Sequence, residues 1–270
     1  MANYLELKLD PLPSPGIELP IEGPAFRRPD REVVERLARV PTATASALLH
    51  KIGIRRTWIE GPVTSRPGTR VAGPVVTLQF MPQREDVASG QDQEQIERSS
   101  ALWHVLDAVE PGDVLAVAAN GDAYSGCLGE MLFTYLKGRG GAGAVIDGRI
   151  RDWANVQAVG MPIWFRGLTP NYASQAGLFP WAYNVPVAMS GVLVLPGDVM
   201  IADDDGAVIV PAAIAPFLAD TGVKHETWEV FSRMKLAQGG SIWTYYPLSE
   251  EGMGEYQQWM AAGRPMPDDH

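Results

Sequence analysis

Between residues 71 and 210 the chain alternates short β-branched, apolar runs with stretches of helical periodicity, and this alternation constrains the fold more than any other feature. Strand-like runs at 71–80, 114–118, 144–147 and 163–165 are separated by helical patterns at 99–109, 128–137 and 153–159. That order reads as mixed α/β. Four further runs, at 185–189, 192–195, 199–202 and 207–210, follow with few helices between them, and a long helical stretch at 212–237 closes the series. The expectation is an α/β fold with a mixed sheet and flanking helices on one face, rather than a doubly wound parallel sheet.

Upstream, the spacing of Val33, Val34, Leu37 and Ala38 predicts an amphipathic helix from Asp30 that Pro41 stops. A second short helix is expected over 45–52, ending at Gly53. Residues 1–30 carry Pro11, Pro13, Pro15, Pro20, Pro24 and Pro29, so they read as an extended arm suited to wrapping a neighbouring subunit. With no repeat, low-complexity tract or linker between 31 and 245, residues 31–247 read as one catalytic domain. The tail, 248–270, is polar and Gly-rich but keeps Tyr256, Trp259 and Met260, which suits docking on a surface.

Composition narrows the function. Hydrophobic residues at 46% and charged residues at 20% are the balance of a globular protein. A net charge of −10 argues against nucleic acid, whose phosphates need clustered Lys and Arg. The single cysteine, Cys127, excludes an internal disulfide and a multi-cysteine zinc site, and fits a reducing, cytoplasmic compartment. The start, MANYLELKLD, lacks the basic and apolar regions of a signal peptide, and no run is long enough to span a membrane.

Several candidate motifs have simpler readings. The glycines of KGRGGAG match the letters of a dinucleotide fingerprint, but the expected helix precedes them and the strand follows, the reverse of a phosphate-binding loop. They read as a helix stop and a tight loop. Asp203-Asp204-Asp205-Gly206 lies between VMIA and AVIV and reads as a hairpin turn rather than a calcium loop. His50, His104, His225 and His270 show no zinc-ligand spacing, so a metal here would be held by oxygen, which points to Mg²⁺ or Mn²⁺.

Two segments look chemical. In AVIDGRIRDW a buried strand is expected to deliver Asp147-Gly148 into a turn, followed by Arg149, Arg151 and Asp152 at the end of an apolar element. The alternative is a surface turn with an Arg–Asp ion pair. In NGDAYSGCLGEMLF, Gly126 and Gly129 bracket a helix start with Glu130 in its first turn, where free backbone N–H groups can receive a carboxylate. The alternative is an acid that only complements the helix dipole.

Together these segments resemble the family containing the 4-hydroxy-4-methyl-2-oxoglutarate/4-carboxy-4-hydroxy-2-oxoadipate aldolases and the regulator of ribonuclease activity A. The match runs from about Pro41 to Pro247 through VAGPVVTLQF, EPGDVLAV, SGCLGEMLF, GAGAVIDGRIRD and PGDVMIADDDGAVIVP, and its most specific part spans Gly143 to Asp152. The resemblance implies an RraA-like fold of the swivelling β/β/α type and a class II pyruvate aldolase, with oxaloacetate decarboxylation as a companion activity. It implies that Asp152 holds a divalent metal largely through waters, that Arg151 contacts the pyruvyl keto oxygen and that Glu130 holds metal-bound water. The backbone at Gly129, Met131 and Leu132 would receive the substrate carboxylate. A further acid from a neighbouring subunit maps to Glu229, with Glu226 as the alternative, so trimers or hexamers are implied. The chain departs from the family where the usual Ser-Asp-Ala-Leu reads Ser46-Ala47-Leu48-Leu49, where Glu130 replaces Asp, and in its longer proline-rich arm. The metal set is intact, which favours an enzyme over the regulator, although an acidic chain also suits a basic protein partner. The expected ligand is a small 2-oxo acid.

Overall fold

The computed structural model describes residues 16–87 and 93–265. In chain order its elements are β1 (Ile21–Glu22), α1 (Arg31–Leu37), α2 (Thr42–Lys51), β2 (Trp58–Ile59), β3 (Val63–Thr64), β4 (Val71–Pro82), α3 (Gln93–Ser99), α4 (Ala101–Asp107) and β5 (Val114–Ala118). Then come α5 (Glu130–Gly138), β6 (Gly143–Ile150), α6 (Trp153–Val159), β7 (Ile163–Leu168), α7 (Ala173–Ala176) and β8 (Leu178–Tyr183). The last third holds β9 (Val187–Met189), β10 (Val192–Val194), β11 (Val199–Asp203), β12 (Gly206–Val210), α8 (Ala215–Ala237), α9 (Ile242–Tyr245) and α10 (Glu250–Ala261).

The expected mixed sheet is present. Strands β4, β5, β6 and β7 lie side by side and parallel, joined through α4, α5 and α6. The long β4 is shared: its start pairs antiparallel with β11, and its end pairs antiparallel with β8. Strands β11, β12 and β2 extend the sheet past β4.

Alternation along each strand sorts the buried side chains into layers. One face of the parallel strands packs Leu115, Val117 and Ile146 against Leu102, Leu106, Phe133 and Leu136 of α4 and α5. The opposite face packs Val114, Ala116 and Val145 against Met200, Ala202 and Ile209, with Met189 and Val192 from the β9–β10 hairpin. The outer face of β11 and β12 then carries Val199, Ile201, Val208 and Val210, covered by α1, α2 and α8. Helices therefore flank both outer faces of a two-layered β core, a correction to the expectation of helices on one face. Strands β11 and β12 are the reason, since they read as apolar on both sides and need a second helical cover.

Other expectations change in detail. The helix expected over 99–109 is α4, which starts after Ser100, whose hydroxyl caps it by accepting from the Leu102 N–H, and a separate helix, α3, precedes it. The 203–206 segment is the expected hairpin, with Asp203 paired to Gly206. The described part of the arm lies on its own chain: β1 pairs with β8, and Arg28 bonds Asp113 at 2.9 Å. The rest of the arm, 1–15, is outside the described residues. The tail carries α10, which docks by burying Trp259 against Phe231 of α8. Lys235 to Glu255 and Tyr245 to Glu255 bonds fix the same contact. Among the described residues, no helix is long and apolar enough to cross a membrane.

Candidate active site

The site is built where β6 ends. Residues 147 and 148 are not a turn, as the Asp-Gly pair suggested, but a bulge inside β6: β7 pairs with Ile146, skips, and resumes at Arg149. Pairing on both sides of the strand overrides the turn preference, since β5 still meets Asp147 through Ala118. The bulge is tight. A side chain at Gly148 would stand 2.7 Å from the Ala119 Cβ. Asp147 itself is buried, accepts from the Ser190 N–H at 3.0 Å, and is bonded by Arg166. It is a structural clasp between β6, β7 and the β9–β10 turn.

Past the bulge, the segment before α5 runs alongside the end of β6. The Cys127 N–H donates to the Arg149 carbonyl at 2.8 Å, and the Arg151 N–H donates to the Leu128 carbonyl at 3.0 Å. These bonds set the start of α5 beside Arg151 and Asp152. Gly129 is the N-cap of α5 and has no side chain to offer, so the first-turn amides of Glu130, Met131 and Leu132 have no side-chain cap. A Cβ on Gly129 would meet Asp152 Oδ2 at 2.4 Å and Arg151 Nε at 3.1 Å. Only glycine allows this approach.

Asp152 adopts a left-handed backbone, φ 60°, a conformation that costs a non-glycine residue on the order of 1–3 kcal/mol. Its carbonyl accepts the first hydrogen bond of α6, from the Val156 N–H at 3.0 Å, while its carboxylate caps nothing. That carboxylate is 43% exposed, and Arg151 Nε stands 3.8 Å away. The strained backbone thus aims an uncommitted carboxylate and a guanidinium at one place. Both line a cavity of about 490 Å³ together with Gly129, Met131 and Leu132. Such a volume lies within the range of small-molecule sites, roughly 300–1,000 Å³. An exposed carboxylate oxygen beside an open cavity is the kind of ligand that a hard divalent cation takes.

The other expected residues fall elsewhere. Glu130 heads α5 next to Gly129 but is not among the residues lining the cavity. Glu229 lies on α8, in the helical layer over β11 and β12, on the far side of the β core from α4 and α5. There it clusters with His225 and Glu226: His225 Nδ1 stands 3.7 Å from Glu229 and 3.9 Å from Glu226, and Glu226 accepts from the Thr44 hydroxyl. These three could together hold a metal ion. Cys127 is buried, and burial first, then the charges of Asp122 and Asp147, drive its thiol far above the ordinary range, which rules it out as a nucleophile.

Five lining residues escaped the motif reading: Glu97, Trp103, Leu106, Asp107 and Tyr135. Trp103 and Asp107 sit one turn apart on α4, and Tyr135 lies four residues after Met131 on α5, so each pair shares a helix face. Their contribution depends on α4 and α5 packing side by side, where the Tyr135 hydroxyl bonds Asp107.

The family model described as RraA-like, Aldolase/RraA, matches residues 41–209. This chain belongs to that family. RraA-like relatives differ in what their names claim. A protein of Halalkalibacterium halodurans named "Putative 4-hydroxy-4-methyl-2-oxoglutarate aldolase" is 33% identical over 142 residues, 53% of this chain and 60% of that protein. The chain therefore matches less than two thirds of the relative's length. The crystal structure of Streptomyces coelicolor RraAS2, described as an unusual member of the RNase ES inhibitor RraA protein family, is 55% identical with a TM-score of 0.71. It covers 78% of this chain and 100% of its own. An uncharacterized protein from Pseudomonas syringae pv. tomato shares the fold at 24% identity and a TM-score of 0.70, covering 82% of this chain and 100% of its own.

Proposed function

We propose that this RraA-like protein is a divalent-metal-dependent carbon–carbon lyase that cleaves a 4-hydroxy-2-oxo acid to pyruvate, with residues 31–247 as its catalytic unit. The observation that carries the reading is the convergence of Arg151, Asp152 and the uncapped start of α5 on one cavity. Asp152 and Glu130 would hold Mg²⁺ or Mn²⁺, largely through waters, with Glu229 or Glu226 supplied by a neighbouring subunit. The α8 acids lie on the far side of this chain's β core, which supports a site completed between copies in a homotrimer or homohexamer.

When bound, the cation supplies Lewis-acid polarisation of the 2-oxo group. The protein does the rest. The amides of Met131 and Leu132 receive the substrate carboxylate at the positive end of the α5 dipole. Arg151 donates to the keto oxygen and stabilises the charge that builds there. A base takes the C4 hydroxyl proton, the C3–C4 bond breaks, a carbonyl fragment leaves, and the electron pair passes into the 2-oxo unit as an enolate. A water held by Asp152 and Arg151 returns a proton to C3, giving pyruvate. Oxaloacetate would lose carbon dioxide through the same enolate.

A Schiff-base route needs a desolvated lysine. Lys137 donates to the Val159 carbonyl and Lys235 pairs with Glu255, and no lysine is among the described residues lining the cavity. Activity is expected to vanish with EDTA, return with Mg²⁺ or Mn²⁺, and survive borohydride in the presence of substrate. EDTA-resistant turnover would overturn the metal route.

The 55% identity to RraAS2 supports a second reading, a protein-binding regulator of a ribonuclease. Tight ribonuclease binding with no pyruvate release from any 4-hydroxy-2-oxo acid would favour it. On either reading the acidic charge disfavours nucleic acid, and a cytoplasmic location fits the lone buried thiol.

A further inference from the structure

The cavity is charged at the start of α5 and apolar further along it. Arg151, Asp152 and Gly129 stand at the helix start, whereas Tyr135 lies five residues beyond Glu130, about 7 Å along the axis at 1.5 Å per residue. There it faces α4, where Trp103, Leu106 and Asp107 continue the wall. Met131 and Tyr135 are unusually bare for large apolar side chains, 73% and 46% exposed. Bare apolar surface that continues a polar pocket is what a ligand covers.

The charge on that wall is acidic. Among the described residues lining the cavity Arg151 is the one cation, and the wall adds Glu97 and Asp107. The cations nearest by sequence, Arg98 and Arg139, are not among the described residues lining the cavity. Arg98 grips Glu94 at 2.8 and 3.0 Å and stacks on Trp103 at 5.0 Å, and Arg139 donates to the carbonyls of Asp107 and Val109. A substrate such as 4-hydroxy-4-methyl-2-oxoglutarate, for which the H. halodurans relative is named, carries a second carboxylate. With the first carboxylate on the α5 amides, the second would lie along a wall that carries two acids and a tryptophan, where like charge opposes it.

We infer that the C4 substituent of the substrate is an uncharged alkyl or aryl group seated against Trp103, Leu106 and Tyr135, so that cleavage releases pyruvate and an apolar aldehyde. This rests on the aldolase reading above and adds its substrate class. The bond broken is still C3–C4: the C4 hydroxyl gives up its proton, the aldehyde leaves, and the enolate takes a proton at C3. Trp103 and Tyr135 act as specificity residues and hold no proton in the reaction.

The test compares pyruvate release by the Mg²⁺-loaded protein from 4-hydroxy-2-oxo-4-phenylbutanoate and 4-hydroxy-2-oxohexanoate with release from 4-hydroxy-4-methyl-2-oxoglutarate. The expected kcat/KM favours the apolar substrates by on the order of 10²-fold, the scale set by leaving a polar group unpaired in a site built for another ligand. Tyr135→Arg, which adds a cation at a half-exposed position, is expected to narrow that preference at least about tenfold by giving the second carboxylate a partner. Met131→Lys repeats the test at an exposed position. A wild-type preference for the dicarboxylate would overturn this inference and leave the aldolase reading standing. No pyruvate from either class would overturn the aldolase reading and this inference with it.

Discussion

The middle and the end of β6 each present an aspartate close to an arginine, and the two pairs have opposite fates. Asp147 is buried and fully engaged, with Arg166, the Ser190 N–H and the Ser190 hydroxyl around it. Asp152 is 43% exposed, has only Arg151 at 3.8 Å, and sits on a left-handed backbone. A satisfied carboxylate in relaxed backbone holds a fold together; an unsatisfied one in strained backbone beside a cavity is held ready for a ligand. The sequence string is the same, and only the surroundings separate the roles.

Substitutions should break this contrast in predictable ways. Asp147→Ala leaves Arg166 and the 190 amide without their acceptor, and a loss of about 3–5 kcal/mol in urea unfolding is expected, as for other broken buried pairs. Arg151→Lys keeps the charge but loses the planar two-point contact, so kcat/KM should fall on the order of 10²-fold, about 2.7 kcal/mol, with unfolding unchanged. Gly129→Ala should cost about tenfold in kcat/KM: the new methyl displaces the Asp152 carboxylate, a side-chain end that can move without unfolding the helix.

The smallest effect concerns the loop before α5. Burial pushes Asp122 up, but the Ser125 and Tyr124 N–H groups and the charge of Arg149 outweigh it and hold its carboxyl below the ordinary aspartate range. A lowered folded-state value means stability present above the unfolded pKa and lost as pH falls through the folded one. Asp122→Ala should therefore lower Tm by about 2 °C at neutral pH, and the deficit should close as pH falls below the ordinary aspartate range, measured by thermal unfolding across pH.

Much of this was legible in the sequence, for reasons that particular residues make clear. Alternating runs placed β4 to β7 and their crossovers, because each strand is buried on both faces and reads as a continuous apolar stretch. The Arg151-Asp152 and Gly129 positions stood out because a charge cluster at a strand end and paired glycines at a helix start are local features. Strand β8 was not seen, since Pro180 inside it speaks against a strand; its pairing with β4 and β1 shows tertiary contacts overriding that rule. The bulge at 147–148 was misread for a similar reason, because turn preference is local and pairing is not. Trp103, Asp107 and Tyr135 were silent, since a wall made by two helices has no spacing along one of them. Glu229 lies on α8, outside the described residues that line this chain's cavity, and helix spacing alone carries no sign of which cavity an acid serves.

Asp152→Asn, assayed on one preparation for thermal unfolding and for Mg²⁺-dependent pyruvate release, tests the central claim most directly. Asparagine tolerates the left-handed backbone, so only the negative charge is removed. The account predicts an unfolding transition like that of the parent protein and a fall in kcat/KM on the order of 10³-fold, about 4 kcal/mol. Parent-like turnover in a folded Asp152→Asn protein would contradict it.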